Sequence, residues 1–293
     1  VKSALSRLAV ERPRRLARAL ELLHESTGGE RPIPLAGGTD LFVYLNAGTQ
    51  PGSRYLDLAP LAELRGIRSG REGLVIGAMS TFDAIARHRA ISRWPMLAQA
   101  ARVVGAAQIQ NRATLGGNVA NASPAGDSLP VLLAYDAVVR VASVRGERTI
   151  PFTALYTGYR KLALAPDELI VAITVPPVPE GARSLFRKVG TRAAQSISKV
   201  VFAGVLAAGR GGISHVRLGW GSVAPTPVRS AGAETALAGR APSPEAAAAA
   251  LAALERDLAP IDDIRSDSDY RRAVSLALLA QLLALAHPAF RAG

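Results

Sequence analysis

No cysteine occurs anywhere in the 293 residues. That absence excludes disulfides, thiolate zinc sites, cysteine nucleophiles and cysteine-ligated iron–sulfur clusters within the chain. Aromatic residues are scarce, 5% against 49% hydrophobic residues in all, so Ala, Val and Leu must fill the core and alanine-rich helices are expected. Long apolar runs are missing too. The longest, Ala273 to Ala286, is too short for a membrane span and contains Ser275 and Gln281. No signal peptide is visible, and a cytoplasmic location is expected. Neither a Walker A sequence nor a GxSxG elbow is present, which leaves P-loop and serine-hydrolase chemistry without support. The four histidines, His24, His88, His215 and His287, lie far apart without ligand spacing, so no metal site is expected.

What is there is enough chain for two or three packed units and a net charge of +12. The basic residues are scattered and not interleaved with aromatics as stacking platforms require. A basic docking surface is therefore favoured over nucleic-acid binding.

Pro13 to Glu25 reads as a helix with Leu16, Ala19, Leu20 and Leu23 on one face. A short extended run, Pro32 to Ala36, leads into Gly37-Gly38-Thr39-Asp40 and an apolar segment to Gly48. Tyr55–Leu58, Gly66–Arg68 and Leu74–Gly77 read as strands. Thr81–Arg87 and Trp94–Val103 read as helices, the second stopped by Gly105. Leu129–Tyr135 is a short helix, and Ala137–Val141 and Glu168–Val175 are strands. Pro176-Pro177-Val178-Pro179 marks a domain boundary. Beyond it, strands at Ser184–Val189, Val200–Ala208 and Gly212–Gly219 precede three helices, one capped by Ser243 and the last starting near Asp269. Strands first and helices after is an α+β order. The expected domains are 1–177, with subdomains of about 1–58 and 59–177, and 180–293.

Two Gly-Gly pairs stand out, LAGGTD at 35–40 and TLGGNV at 114–119. Glycine lets a backbone approach a ligand without an intervening Cβ, and successive N–H groups in such turns form anion-binding concavities. A diphosphate fits against both; the alternative is two tight turns, with Thr39 an ordinary helix cap. The second pair sits in ATLGGNVANASPAGD, 113–127, which is too glycine-rich for a core strand and is read as a loop, not a helix. Thr114, Asn118, Asn121, Ser123 and Asp127 are short polar side chains suited to a ribose, a ribityl chain or a phosphate. Asp127 also reads as a cap for the following helix. GWGSVA at 219–224 mimics a dinucleotide fingerprint, but Pro225-Thr226-Pro227 follows where a helix must open, so it is rejected. Asp262-Asp263 and Asp267-Asp269 read as loop and cap residues. A place for a nucleotide without obvious catalytic side chains suits a redox cofactor that does its own chemistry.

These stretches resemble the FAD-binding (medium) subunits of molybdenum hydroxylases. That group includes xanthine dehydrogenases, aerobic carbon monoxide dehydrogenases and 4-hydroxybenzoyl-CoA reductase. LAGGTDL resembles the family's first flavin loop and QIQNRATLGGNVANASPAGDSLPVLLAYDAVV its second. The likeness continues, collinear, through GYRKLALAPDELIVAITVP, FRKVGTRAAQSISKVVFAGVL and LGWGSVAPTPVR. It implies a vanillyl-alcohol-oxidase-type FAD-binding region of two subdomains, followed by a C-terminal α+β domain with a three-stranded sheet and helices.

Carried over by motif, Leu35, Ala36, Gly37, Gly38, Thr39 and Asp40 would line the FAD diphosphate and ribityl region. Thr114, Gly116, Gly117, Asn118, Ala120 and Asp127 would do so from the second loop. Val104, Gly105 and Leu169 match positions near the cofactor. Lys188 matches a lysine near the flavin ring, where a cation stabilises negative charge on the reduced ring; the alternative is a surface lysine at a strand edge. With no cysteine in the chain and no histidine in either loop, the FAD would be non-covalent. No iron–sulfur cluster can sit on this chain. The resemblance implies electron transfer from an iron–sulfur small subunit, beside a molybdopterin large subunit, to an acceptor such as NAD. The alternatives are a stand-alone FAD oxidoreductase of the same fold and a non-catalytic nucleotide-binding module.

Overall fold

The computed structural model describes residues 8–25, 31–49, 52–209 and 211–290. A first unit contains β1 (Ala9–Glu11), α1 (Leu16–Glu25), β2 (Ile33–Leu35), α2 (Thr39–Ala47) and β3 (Arg54–Asp57). Strand β3 lies between β1 and β2 and runs parallel to both. Helix α1 forms where apolar residues recur every three to four positions, and it buries Ala19, Leu20 and Leu23. That face meets Leu56, Leu58, Leu61 and Leu64, and beyond them Met79, Ala142, Leu169 and Val171 of the next unit.

The second unit is a five-stranded antiparallel sheet. Its order is β4 (Ile67–Gly70), β5 (Gly73–Gly77), β10 (Leu169–Val175), β6 (Val138–Ser143) and β7 (Gly146–Pro151). A small hairpin, β8 (Tyr156–Gly158) and β9 (Lys161–Leu162), stands apart from it. The central strand β10 is buried everywhere except at Thr174, because both of its faces are covered. Leu169 and Val171 point toward α1, whereas Ile170, Ile173 and Val175 point into the larger core. A bulge between Ile170 and Ala172 accounts for that change of parity. The larger core is roofed by α3 (Phe82–Arg87), α4 (Pro95–Val103), α5 (Ala107–Gln110), α6 (Leu115–Asn121) and α7 (Leu129–Ala134). Trp94, 1% exposed, anchors this roof by donating Nε1–H to the Pro176 carbonyl at 2.7 Å.

The third unit is an antiparallel sheet of β11 (Arg183–Val189), β12 (Val200–Gly209), β13 (Gly212–Gly221) and β14 (Val228–Arg229), in that order. Helices α8 (Ala231–Leu237), α9 (Pro244–Asp257) and α10 (Ser268–Ala286) follow. Along β12, Val200, Phe202 and Leu206 face these helices, and Val201, Ala203 and Val205 face the second unit. Caps are as expected: Ser243 accepts from Ala246 N and Asp267 from Tyr270 N.

Three expectations need correction. The C-terminal sheet has four strands, not three, because the two-residue β14 is too short to show an alternating pattern. The segment after Gly38 is helix α2, and Thr39 is its first residue, not its cap; the cap is Gly38, at φ 79°. The glycine-rich stretch 113–127 does contain a helix, α6. Thr114 caps it by accepting the Gly117 N–H at 3.1 Å, and Leu115 and Val119 are buried one turn apart. Tertiary packing there outweighs the low helix propensity of two glycines, about 1 kcal/mol each.

Between the first two units, Asp167 accepts from Arg145 Nη2 at 2.9 Å and lies 3.2 Å from His24 Nδ1. The Arg145 guanidinium holds this carboxyl well below the usual carboxylate range, with His24 helping and burial opposing. A depressed folded pKa gives stability that is present above the unfolded value of about 3.9 and lost as pH falls below it. Denaturant midpoints measured at pH 6 and pH 3 should therefore drop further for the wild type than for Asp167→Asn.

Candidate functional site

Strand β2 delivers Leu35 and Ala36 to the turn at Gly37-Gly38, and α2 starts immediately after it. The second glycine pair sits in the first turn of α6. The two segments abut. A Cβ on Gly37 would lie 2.1 Å from the Arg112 carbonyl oxygen and 3.0 Å from Ala113 Cα. A Cβ on Gly117 would lie 2.9 Å from Thr114 Oγ1 and 3.3 Å from Ala36 Cβ. Arg112 Nε reaches back to the Gly37 carbonyl at 3.4 Å, and Asn121 Nδ2 donates to Asp40 Oδ1 at 3.3 Å. Arg160, on the β8–β9 hairpin, donates to Tyr44 OH at 2.9 Å and to Asn121 Oδ1 at 3.3 Å.

The two loops differ in what they offer. In the second, Leu115 N–H donates to Ser80 O, Gly116 N–H to Ala78 O, Gly117 N–H to Thr114 Oγ1 and Asn118 N–H to Thr114 O. These four amides are committed to the fold, so the glycine pair itself supplies close backbone approach. In the first loop, the amides of Thr39, Asp40 and Leu41 have no partner among the described residues. They open α2, where the partial positive charge of the helix start adds to them. Of the two glycine pairs, the first is the one followed directly by three such amides.

A second group forms where the third unit meets the second. Lys188 of β11 donates to Asp127 Oδ2 at 2.6 Å and to the Val103 carbonyl at 2.9 Å, and both side chains of the pair are 9% exposed. Ser198 Oγ lies 3.2 Å from Asp127 Oδ1. Burial pushes the Asp127 carboxyl up, against the ammonium of Lys188 and the Ser198 hydroxyl. Asp127 is therefore not a helix cap and Lys188 is not a surface lysine. Ser128 occupies the cap position of α7, but its hydroxyl donates to Asn118 Oδ1 at 2.7 Å. That bond joins the ion pair to α6. Val104 and Gly105 follow the Val103 carbonyl, and the Gly105 oxygen accepts from Gln195 N at 3.2 Å.

The expected site residues fall into these two linked groups with two exceptions. Leu169, 5% exposed, packs in the core beside Met79 and Ala36. Ala120 is exposed on the outer side of α6. Sequence reasoning missed Ser198, Ser128, Tyr44 and Arg160, whose roles come from contacts remote in the chain. The rejected GWGSVA segment ends β13, and a Cβ on Gly219 would meet the Pro130 carbonyl at 2.4 Å, so that glycine serves packing against α7. A separate cavity of about 490 Å³ lies at another part of the seam, lined by Leu133, Phe152, Tyr156, Thr226, Arg229 and Glu234. Its charged groups pair with each other, Arg229 Nε to Glu234 Oε1 at 2.9 Å, and no residue of either glycine loop lines it.

Residues 6–178 match the family described as the FAD binding domain in molybdopterin dehydrogenase. Residues 185–286 match the CO dehydrogenase flavoprotein C-terminal domain. A xanthine dehydrogenase FAD-binding subunit from Escherichia coli O157:H7 is 34% identical over 259 residues, covering 87% of this chain and 88% of the relative. The carbon monoxide dehydrogenase medium chain of Hydrogenophaga pseudoflava is 31% identical over 276 residues, covering 92% and 94%. Among solved structures, carbon monoxide dehydrogenase from Hydrogenophaga pseudoflava lacking the Mo-pyranopterin moiety superposes with a TM-score of 0.88 at 30% identity, over 93% of this chain and 94% of that one.

The abutment of the loops is open to test. Gly37→Ala should cost about 1–3 kcal/mol through overpacking against the Arg112 carbonyl. Gly70→Ala, where an added Cβ meets nothing within 4 Å, should be close to neutral; thermal denaturation of both variants checks the contrast.

Proposed function

We infer function from one premise: the chain belongs to the FAD-binding medium subunits of molybdopterin dehydrogenases, the family of the carbon monoxide and xanthine dehydrogenase flavoproteins. It is the electron-transfer FAD subunit of an oxidoreductase. In our reading the FAD is held non-covalently by the two glycine loops. Thr39, Asp40 and Leu41 offer their amides to the diphosphate, Gly37 and Gly117 leave the backbone bare beside it, and Asn118 and Asp127 serve its hydroxyl-bearing part. Bound FAD supplies the exchange of single electrons and of hydride. This chain's residues bind and orient it, and Lys188 places a cation where negative charge gathers on reduction.

The observation that supports this reading best is the meeting of Ala36–Gly37 with Arg112–Gly117. Just after that meeting point α2 opens with three amides unpartnered among the described residues, and Gly117 leaves no Cβ against Ala36. We further propose that electrons arrive from iron–sulfur clusters on a small partner subunit, with molybdopterin on a large one. NAD is the acceptor we favour, which would place the complex in the cytoplasm. The excess of basic residues would serve docking to those subunits. No helix among the described residues is long and apolar enough to cross a membrane.

The purified chain should carry FAD and absorb at about 450 nm; a colourless chain that cannot be reconstituted would refute the assignment. Gly117→Val should weaken FAD binding about tenfold or more, equivalent to at least about 1.4 kcal/mol, while the far-ultraviolet dichroism stays native. Lys188→Ala should retain FAD but lower its reduction potential, as read by dye-coupled spectral titration.

A further inference from the structure

The Asp127–Lys188 pair does not stand alone. Ser198, 1% exposed, lies just ahead of β12 with its hydroxyl 3.2 Å from Asp127 Oδ1 and 3.2 Å from the Ala125 carbonyl. A hydroxyl carries one proton, so its position decides which oxygen it serves. That position is set by the next residue. The Lys199 amide donates to Val189 O at 2.8 Å, and the Lys199 carbonyl accepts from Arg271 Nη1 at 2.9 Å.

Arg271 belongs to α10 and is 3% exposed. Its Nη1 also donates to the Ser222 carbonyl at 2.7 Å, and its Nη2 to Asp263 Oδ1 at 2.8 Å. Ser222, held at φ 65°, donates its own amide to the Pro124 carbonyl at 2.8 Å. One buried guanidinium thus fixes the start of β12 and the end of β13. Both of those points grip the 124–127 segment that carries Asp127. Buried charges are costly unless paired and hydrogen-bonded; Arg271 meets that requirement through Nη1 and Nη2, with main-chain carbonyls on both sides of the segment and one carboxylate, while its buried Nε has no partner among the described residues.

We propose that Ser198, set in place by Arg271, is a positioning residue for the Asp127–Lys188 pair, through which the C-terminal unit adjusts the reduction potential of the flavin. This rests on the FAD reading above. Lys188 stabilises negative charge on a reduced flavin only to the extent that Asp127 does not already neutralise it. Burial disfavours the ionised carboxyl, and the Ser198 hydroxyl is one of the groups that favour it. Removing that hydroxyl shifts Asp127 toward its neutral form and leaves the lysine charge less compensated.

The test is the flavin midpoint potential of the full chain loaded with FAD, by spectral titration against reference dyes. Ser198→Ala should retain FAD with a potential more positive than the wild type, and Ser198→Thr, which restores a hydroxyl, should return it toward the wild-type value. Arg271→Met should shift it the same way but is also expected to loosen the fold, so Ser198→Ala decides. An unchanged or more negative potential in FAD-loaded Ser198→Ala overturns this inference and leaves the FAD reading intact. A wild-type chain that takes up no FAD overturns both.

Discussion

The rest of the molecule depends on β12 being buried on both faces. Its even-numbered residues Val200, Phe202 and Leu206 lie under the C-terminal helices, and its odd-numbered Val201, Ala203 and Val205 lie against the second unit. A strand with two apolar faces cannot rest on one layer, so the C-terminal sheet becomes an inner wall shared by two cores. Gly204 and Gly219 let that wall close up. Their missing side chains leave room for Leu282 on one side and the Pro130 carbonyl on the other. The close contact of Phe202 and Trp220, with ring centroids 4.8 Å apart, adds about 0.5–1.5 kcal/mol beyond area burial. Because β11 pairs with β12 along its whole length, fixing this wall also fixes Lys188 against the end of α4 and the segment before α7.

Glycine does two different jobs in the candidate site. At Gly38 it allows a left-handed turn, φ 79°, that starts α2 with its first amides unpartnered. At Gly37, Gly116 and Gly117 it permits contact. The neighbours there are the Arg112 carbonyl, Ala78 and Ala36, and a Cβ at Gly116 would sit 2.6 Å from Ala78 Cβ. Both jobs give the same letter in the sequence. The first leaves amides without partners among the described residues; the second makes the narrow join that brings the two loops side by side.

The family and the order of the elements were legible in the residues. A periodic apolar face located α1, cap and stop residues located α3, α4 and the alanine-rich α9, and apolar runs located β10 and β12. Helices α2 and α6 were not legible. A Gly-Gly pair lowers local helix propensity, and the packing that offsets it comes from Ala78, Ser80 and Ala113, far from α2 or outside α6. Strand β14 was missed because two residues carry no period.

For the site, the sequence by itself determined which residue types are available: two glycine pairs, a set of short polar side chains, one lysine, and no thiol. It could not decide their pairing. Asp127 and Lys188 are 61 residues apart, and Ser198 lies a further ten along the chain. Against the alternatives of a helix cap and a surface lysine, the tertiary structure joins Asp127 and Lys188 in one buried ion pair. It also committed the amides around the second glycine pair to the fold and left those just after the first without a partner among the described residues. The physical reason is the same in each case: hydrogen-bond and ion-pair partners are chosen by where the sheets and helices close on one another, and spacing along the chain does not encode that distance.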